Sequence, residues 1–183
     1  MKPLCSFNIG ETFYPEVEPD ETVNCHEEGE ALAVVRPKGY VEDGPVVRRI
    51  GGRNLYLGNT FAAHPEGHDR SFEFVLSATD EECPLTTHHR PLIDGRGNDW
   101  SAFAAAVDTA RTLYRRDGSV LIHCKAGISR SSTLIATTLA AEENRPFRDA
   151  LGIVQEARPA AMPNPALHEA AIVYLAAEPQ VDS

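Results

Sequence analysis

Cys124 and Arg130 bracket five residues in the stretch His123-Cys124-Lys125-Ala126-Gly127-Ile128-Ser129-Arg130-Ser131-Ser132. A cysteine attacks as its thiolate, and a helix N-terminus with cationic neighbours lowers a thiol pKa to roughly 3.5–7.5. Arginine offers a planar fork that holds two oxygens at once. Gly127 lets the backbone turn with positive φ and come close to an anion. The backbone N–H groups of Lys125, Ala126, Gly127, Ile128, Ser129 and Arg130 can converge on one point, where an oxyanion with three equatorial oxygens, such as phosphate, fits. The Ser131 hydroxyl stands where it can hydrogen-bond the sulfur and ease its departure, and His123 can orient the loop from behind.

Such a loop needs a strand to enter from and a helix to open. Ser119-Val120-Leu121-Ile122-His123 reads as a short buried strand and Ser131 to Glu143 as a helix, so the helix dipole adds positive potential at the loop. Upstream, Val46 to Ile50 and Arg53 to Leu57 read as a hairpin closed by the two-residue turn Gly51-Gly52. Further strands are predicted at 72–76 and 88–92. Trp100, Phe103, Ala104, Val107, Ala110, Leu113 and Tyr114 recur at helical spacing, which predicts a helix over 99–116 with these residues in the core. Phe147, Ala150, Leu151 and Val154 mark another helix. Asn164 caps a last one with Pro165 at its first position. The expected fold is a single α/β domain, a central mixed and largely parallel sheet flanked by helices, with the site outside the strand ends. It should occupy 46–178, between an irregular lead of 1–45 carrying one strand around Ala31-Leu32-Ala33-Val34-Val35 and a tail of 179–183.

The loop resembles the His-Cys-x5-Arg-Ser/Thr signature of cysteine-dependent protein tyrosine phosphatases, and its Ala126-Gly127-x-Ser129-Arg130-Ser131 form is similar to the dual-specificity branch. Leu55-Tyr56-Leu57-Gly58 is similar to the family's first strand motif. Arg158 with Pro163-Asn164 resembles the segment that opens its last helix. The similarity runs over roughly residues 46–177.

The resemblance implies a general acid: an aspartate on a loop about thirty residues before the cysteine, which protonates the leaving oxygen. Asp94 lies at that distance, in Asp94-Gly95-Arg96-Gly97, whose glycines suit a mobile loop. Asp99 is the alternative, but Asn98-Asp99 reads as a helix cap. The implied reaction hydrolyses phosphotyrosine, and phosphoserine or phosphothreonine, in proteins through a cysteinyl-phosphate. Catalytic roles fall to Cys124, Arg130, Asp94 and Ser131, substrate binding to residues 125–130, and support to His123 and Asn164. No cofactor and no metal is expected. Hydrolysis of a small phosphorylated metabolite, or phosphoprotein binding without turnover, is the alternative function.

Composition bounds the partners. The 183 residues carry 17 Lys and Arg against 27 Asp and Glu, a net charge of −10. That balance disfavours nucleic acid and anionic membrane. The N-terminus shows no signal-peptide pattern, and Cys124 has to stay reduced, so a cytoplasmic location is expected. Cys83 can be read as a thiol that resolves an oxidised Cys124, or more simply as a free core or loop cysteine. Cys5, Cys25 and His26 lack the paired spacing of a zinc site. The oligomeric state is not legible.

Overall fold

Three strands with almost unbroken apolar runs lie at the middle of the sheet, as parallel strands covered on both faces should. They are β2 (Leu55–Gly58), β5 (Val120–His123) and β3 (Phe74–Ser77). The computed structural model describes residues 41–177. The strand expected at 31–35, and Cys5, Cys25 and His26, lie outside them. The sheet order is β1-β2-β5-β3-β4, with β1 (Val47–Arg49) antiparallel to β2 and every other pair parallel, including β4 (His88–His89) on β3. The mixed, largely parallel sheet is therefore present.

Alternation along the strands divides the core. Leu55, Leu57, Leu76, Val120 and Ile122 face the helices α1 (Trp100–Tyr114), α2 (Arg130–Glu142), α3 (Phe147–Ala157) and α4 (Pro165–Ala177). Tyr56, Val75 and Leu121 face a thinner layer built on Ala62 and Ala63 of a short 3-10 helix, Thr60–Ala63, with Phe72, Cys83 and Leu85 against it. Residues 130–140 of α2 are all buried, because α1, α3 and α4 pack around that helix. Two of its buried threonines bond back to the preceding turn: Thr133 donates to the Ser129 carbonyl at 2.8 Å and Thr137 to that of Thr133 at 2.7 Å.

Several expectations need adjusting. The hairpin is wider than a two-residue turn: β1 ends at Arg49, β2 starts at Leu55, and Arg53 and Asn54 belong to the connection. Gly51 (φ +55°) still sits in a turn closed by the Arg53 N–H on the Ile50 carbonyl. The strand predicted at 88–92 stops at His89, although the Arg90 and Leu92 N–H groups still donate to the Ser77 and Ala78 carbonyls. Trp100 is not core: it is 45% exposed, with its ring beside Phe103 and Tyr174. No helix among the described residues is long and apolar enough to cross a membrane.

Candidate active site

The loop after β5 leaves the middle of the sheet and is held from three directions. The Cys124 N–H donates to the Gly58 carbonyl at 3.4 Å and the Thr60 N–H to the Lys125 carbonyl at 3.2 Å. The Met162 N–H donates to the Ile128 carbonyl at 2.9 Å, and the buried Arg158 donates to that of Gly127 at 3.5 Å and to Glu42 at 2.5 Å. Gly127 (φ +65°) presses so closely on β2 that a Cβ would stand 2.9 Å from the Gly58 carbonyl oxygen. Gly58 is equally constrained, since its own Cβ would meet Ala62 and Leu121 at 2.8 Å. Gly127 thus lets the loop reach the end of β2, while Gly58 lets β2 pass close to the 3-10 helix and β5. Asn59 then fixes the end of β2: its Oδ1 accepts from Val46 and Ala62 and its Nδ2 donates to Gly44.

Cys124 lies at the bottom of this loop, 3% exposed, with Sγ 3.3 Å from the Ser131 hydroxyl. Burial by itself pushes the thiol up. The Ser131 hydrogen bond, the Arg130 charge and the backbone N–H groups of Ser131 and Ile128 outweigh it, and the net shift is down. His123 is fully buried behind the loop, with Nε2 2.5 Å from the Ser77 hydroxyl, which in turn meets Thr86 at 2.6 Å. At His123 burial prevails, opposed in part by the Cys124 backbone, and the imidazole falls to about 4. It is neutral at pH 7 and acts on the loop as a hydrogen-bonding wedge rather than a charge.

Arg130 opens α2 and is 8% exposed. Its Nη1 donates to the carbonyls of Ala78 at 3.1 Å and Leu92 at 3.0 Å, which ties the guanidinium to the end of β3 and to the segment leading into Asp94. Asp80 approaches it at 3.7 Å from an exposed position. The buried Nε has no hydrogen-bond partner among the described residues.

Asp94 is exposed, yet its Oδ1 accepts from the Ser129 hydroxyl at 2.5 Å. That carboxylate therefore borders the loop. Its segment is shaped by Asn98, whose side chain accepts from the Ile93 N–H at 2.8 Å and donates to the carbonyls of Ile93 and Gly95. Asp99 is the N-cap residue of α1 and takes a hydrogen bond from Ser101. Asn164 caps α4 through Ala166, donates its backbone N–H to the Ser129 hydroxyl at 2.9 Å, and reaches the Asp94 carbonyl at 3.4 Å. Lys125 is exposed on the loop, while Ala126 and Ile128 are buried. Sequence reasoning passed over Ser77, Thr86 and Asn59 as supports, and Asn98 as anything more than part of a cap. Among these only Asn98 carried a signal, an amide closing a glycine-rich turn.

Residues 55–175 match the family model of the dual specificity phosphatase catalytic domain. The chain belongs to that family. As a dual specificity phosphatase domain it is 42% identical to mouse dual specificity protein phosphatase 19 over 77 residues, which is 42% of this chain and 35% of that protein. It is 30% identical to human dual specificity protein phosphatase 5 over 118 residues, 60% of this chain and 31% of that protein. The matched regions thus span only about a third of these relatives' lengths. The fold is shared with human DUSP28 at a TM-score of 0.63 and 22% identity, covering 73% of this chain and 97% of that one. It is shared also with the human tyrosine phosphatase-like serine/threonine/tyrosine-interacting protein, at 0.59 and 21%, covering 71% and 95%.

Proposed function

We propose that the chain hydrolyses phosphotyrosine, and phosphoserine or phosphothreonine, in proteins through a cysteinyl-phosphate. The observation that carries this reading is the buried Cys124 thiol at the foot of the loop, with Sγ 3.3 Å from the Ser131 hydroxyl and the Arg130 guanidinium tied beside the loop. In the first step the thiolate attacks phosphorus, the P–O bond to the leaving group breaks, and Asp94 delivers the proton that oxygen needs. Arg130, through the donors it does not use on Ala78 and Leu92, and the N–H groups of residues 125–130 hold the equatorial oxygens, most firmly when the phosphoryl group is planar. In the second step water attacks the cysteinyl-phosphate, Asp94 accepts its proton, and the Ser131 hydroxyl stabilises the departing thiolate. A thiolate of this kind functions only while reduced, which fits a cytoplasmic site of action.

Metal-free hydrolysis of an aryl phosphate by wild type and Cys124→Ser tests the reading. Turnover that vanadate blocks and the variant lacks supports it, and a phosphopeptide panel then ranks tyrosine against serine and threonine. Folded, reduced wild-type protein that binds phosphopeptides without turning them over would replace it with a phosphoprotein-binding role.

A further inference from the structure

A cavity of about 230 Å³ lies between the edge strand β4 and the C-terminal half of α1, on residues the proposed reaction does not use. Two guanidinium groups and an imidazole line it: Arg90, just past the end of β4, Arg116, just past the end of α1, and His88 on β4 itself. Neither arginine forms an ion pair among the described residues, in a chain with a net charge of −10 whose Arg53, Arg111 and Arg158 each pair with a glutamate. Both are nevertheless fixed, by neutral groups. Arg90 donates from Nε to the Thr109 hydroxyl at 3.0 Å and from Nη1 to the His89 carbonyl at 3.0 Å, while its Nη2 makes no bond among the described residues. Arg116 lies over the Phe74 ring, 5.4 Å from its centroid, and that ring meets His88 edge-on at 6.2 Å.

Neutral partners hold the two cations without cancelling their charge, and both charges act on one spot. After burial, it is Arg116 and Arg90 that push the His88 imidazole below its ordinary value. A helix C-terminus attracts cations, which accounts for Arg116 but not for Arg90, whose Nε meets α1 at Thr109, before its last turn. Asp108 supplies the one opposing charge in the wall, and its Oδ1 accepts the Tyr174 hydroxyl from α4. We propose that this cavity binds an oxyanion, a carboxylate or phosphate group, at a second site separate from the Cys124 loop. The Arg90 fork supplies oriented N–H donors and Arg116 closes the far side with charge. The oxyanion is either a free ion or an acidic side chain of a peptide lying along β4, whose outer edge pairs with no other strand among the described residues.

Inorganic phosphate titrated into the full chain at constant ionic strength, followed by NMR, tests the proposal. The His88 imidazole reports the cavity and the Gly127 amide reports the loop in the same titration. Phosphate should move both, along separate saturation curves. Arg90→Gln and Arg116→Gln should each weaken the binding seen at His88 roughly tenfold and leave the curve at Gly127 in place. Arg116→Glu, a reversal at an exposed side chain, should abolish the His88 response, and serves if Arg90→Gln disturbs its segment. A phosphotyrosine peptide carrying one glutamate at successive positions, bound to Cys124→Ser so that it stays intact, identifies the source. A gain of roughly tenfold at one position, lost when Arg116→Glu is added, assigns the cavity to a peptide carboxylate. Equal affinity at every position, with the phosphate response intact, assigns it to a free ion. A His88 signal that phosphate does not move, or a response that survives Arg116→Glu unchanged, would overturn the proposal. Absence of turnover bears on the loop alone, since the His88 readout requires none.

Discussion

Cys124 Sγ and Ser131 Oγ lie 3.3 Å apart, both buried, at the two ends of the loop that leaves β5 and opens α2. A hydroxyl so placed stabilises the thiolate and lowers the thiol pKa. A hydrogen bond to a charged group contributes about 1.5–3 kcal/mol, so Ser131→Ala should slow thiolate departure roughly 10- to 150-fold. The cysteinyl-phosphate should then accumulate, visible as a burst of released phenol. The midpoint for iodoacetate alkylation of Cys124 should move to higher pH. No burst and an unmoved midpoint would separate Ser131 from the sulfur's chemistry.

Arg130 holds two backbone carbonyls as well as facing the loop, so a lysine cannot replace it. Lys carries a point charge without the planar fork. Arg130→Lys should lose on the order of 100-fold or more in kcat/KM, in line with removal of a transition-state donor. It should also loosen the Ala78 and Leu92 contacts. Hydrogen exchange at the 90–98 segment, faster in the variant, reads the second effect apart from the first.

Gly127→Ala places a methyl 2.9 Å from the Gly58 carbonyl at a residue with φ +65°. Backbone strain of this kind costs about 1–3 kcal/mol before the collision is counted. The variant should melt lower and bind vanadate weakly. A change at Gly152, where a new Cβ meets nothing within 4 Å, should do neither and serves as the control.

Acid should destabilise the fold in two stages. His123, pushed by burial down to about 4, is neutral when folded, whereas an unfolded histidine charges near 6.5. Its contribution is complete above pH 6.5 and is lost as pH falls toward 4, about 3 kcal/mol in all. Glu143 is held down to about 2, chiefly by the two-pronged Arg53 contact at 2.5 and 2.7 Å, with Tyr114 and Arg145 assisting against burial. That contribution is complete above pH 4.5 and lost toward 2. Urea unfolding from pH 7 to 4 should show the first stage, and His123→Gln should flatten it. A wild-type stability that stays level over this range would contradict the burial argument.

The Glu143 cluster sits at the end of α2 away from the loop and joins it to the β1–β2 connection through Arg53 and to α1 through Tyr114. Glu143→Ala should lower stability by about 2 kcal/mol, as expected for charge-assisted bonds at half-buried groups. It should leave kcat/KM at 25 °C unchanged. A fall in kcat/KM without a fall in stability would place the cluster in the reaction.

Local patterns determined much of this protein. A nucleophile and an arginine at fixed spacing between an apolar run and a helical pattern, together with the Leu55 to Gly58 and Arg158 to Asn164 stretches, made the loop and the family legible. The parallel strands were readable because strands buried on both faces are apolar throughout, and the cap at Asn164-Pro165 because capping is local chemistry. Tertiary structure decided what depends on distant segments. Trp100 fits the helical stripe of α1, but its place on the helix faces outward once α4 has packed. The Ser129 hydroxyl could cap α2 by any local rule, and only the convergence of Asn164 and Asp94 draws it away. Gly127 looks like an ordinary turn residue until the loop meets the Gly58 carbonyl and leaves no room for a Cβ, and at Gly58 it is Ala62 and Leu121 that leave none. Spacing brings a carboxylate to the right region of the chain; folding sets it against the Ser129 hydroxyl at the border of the loop.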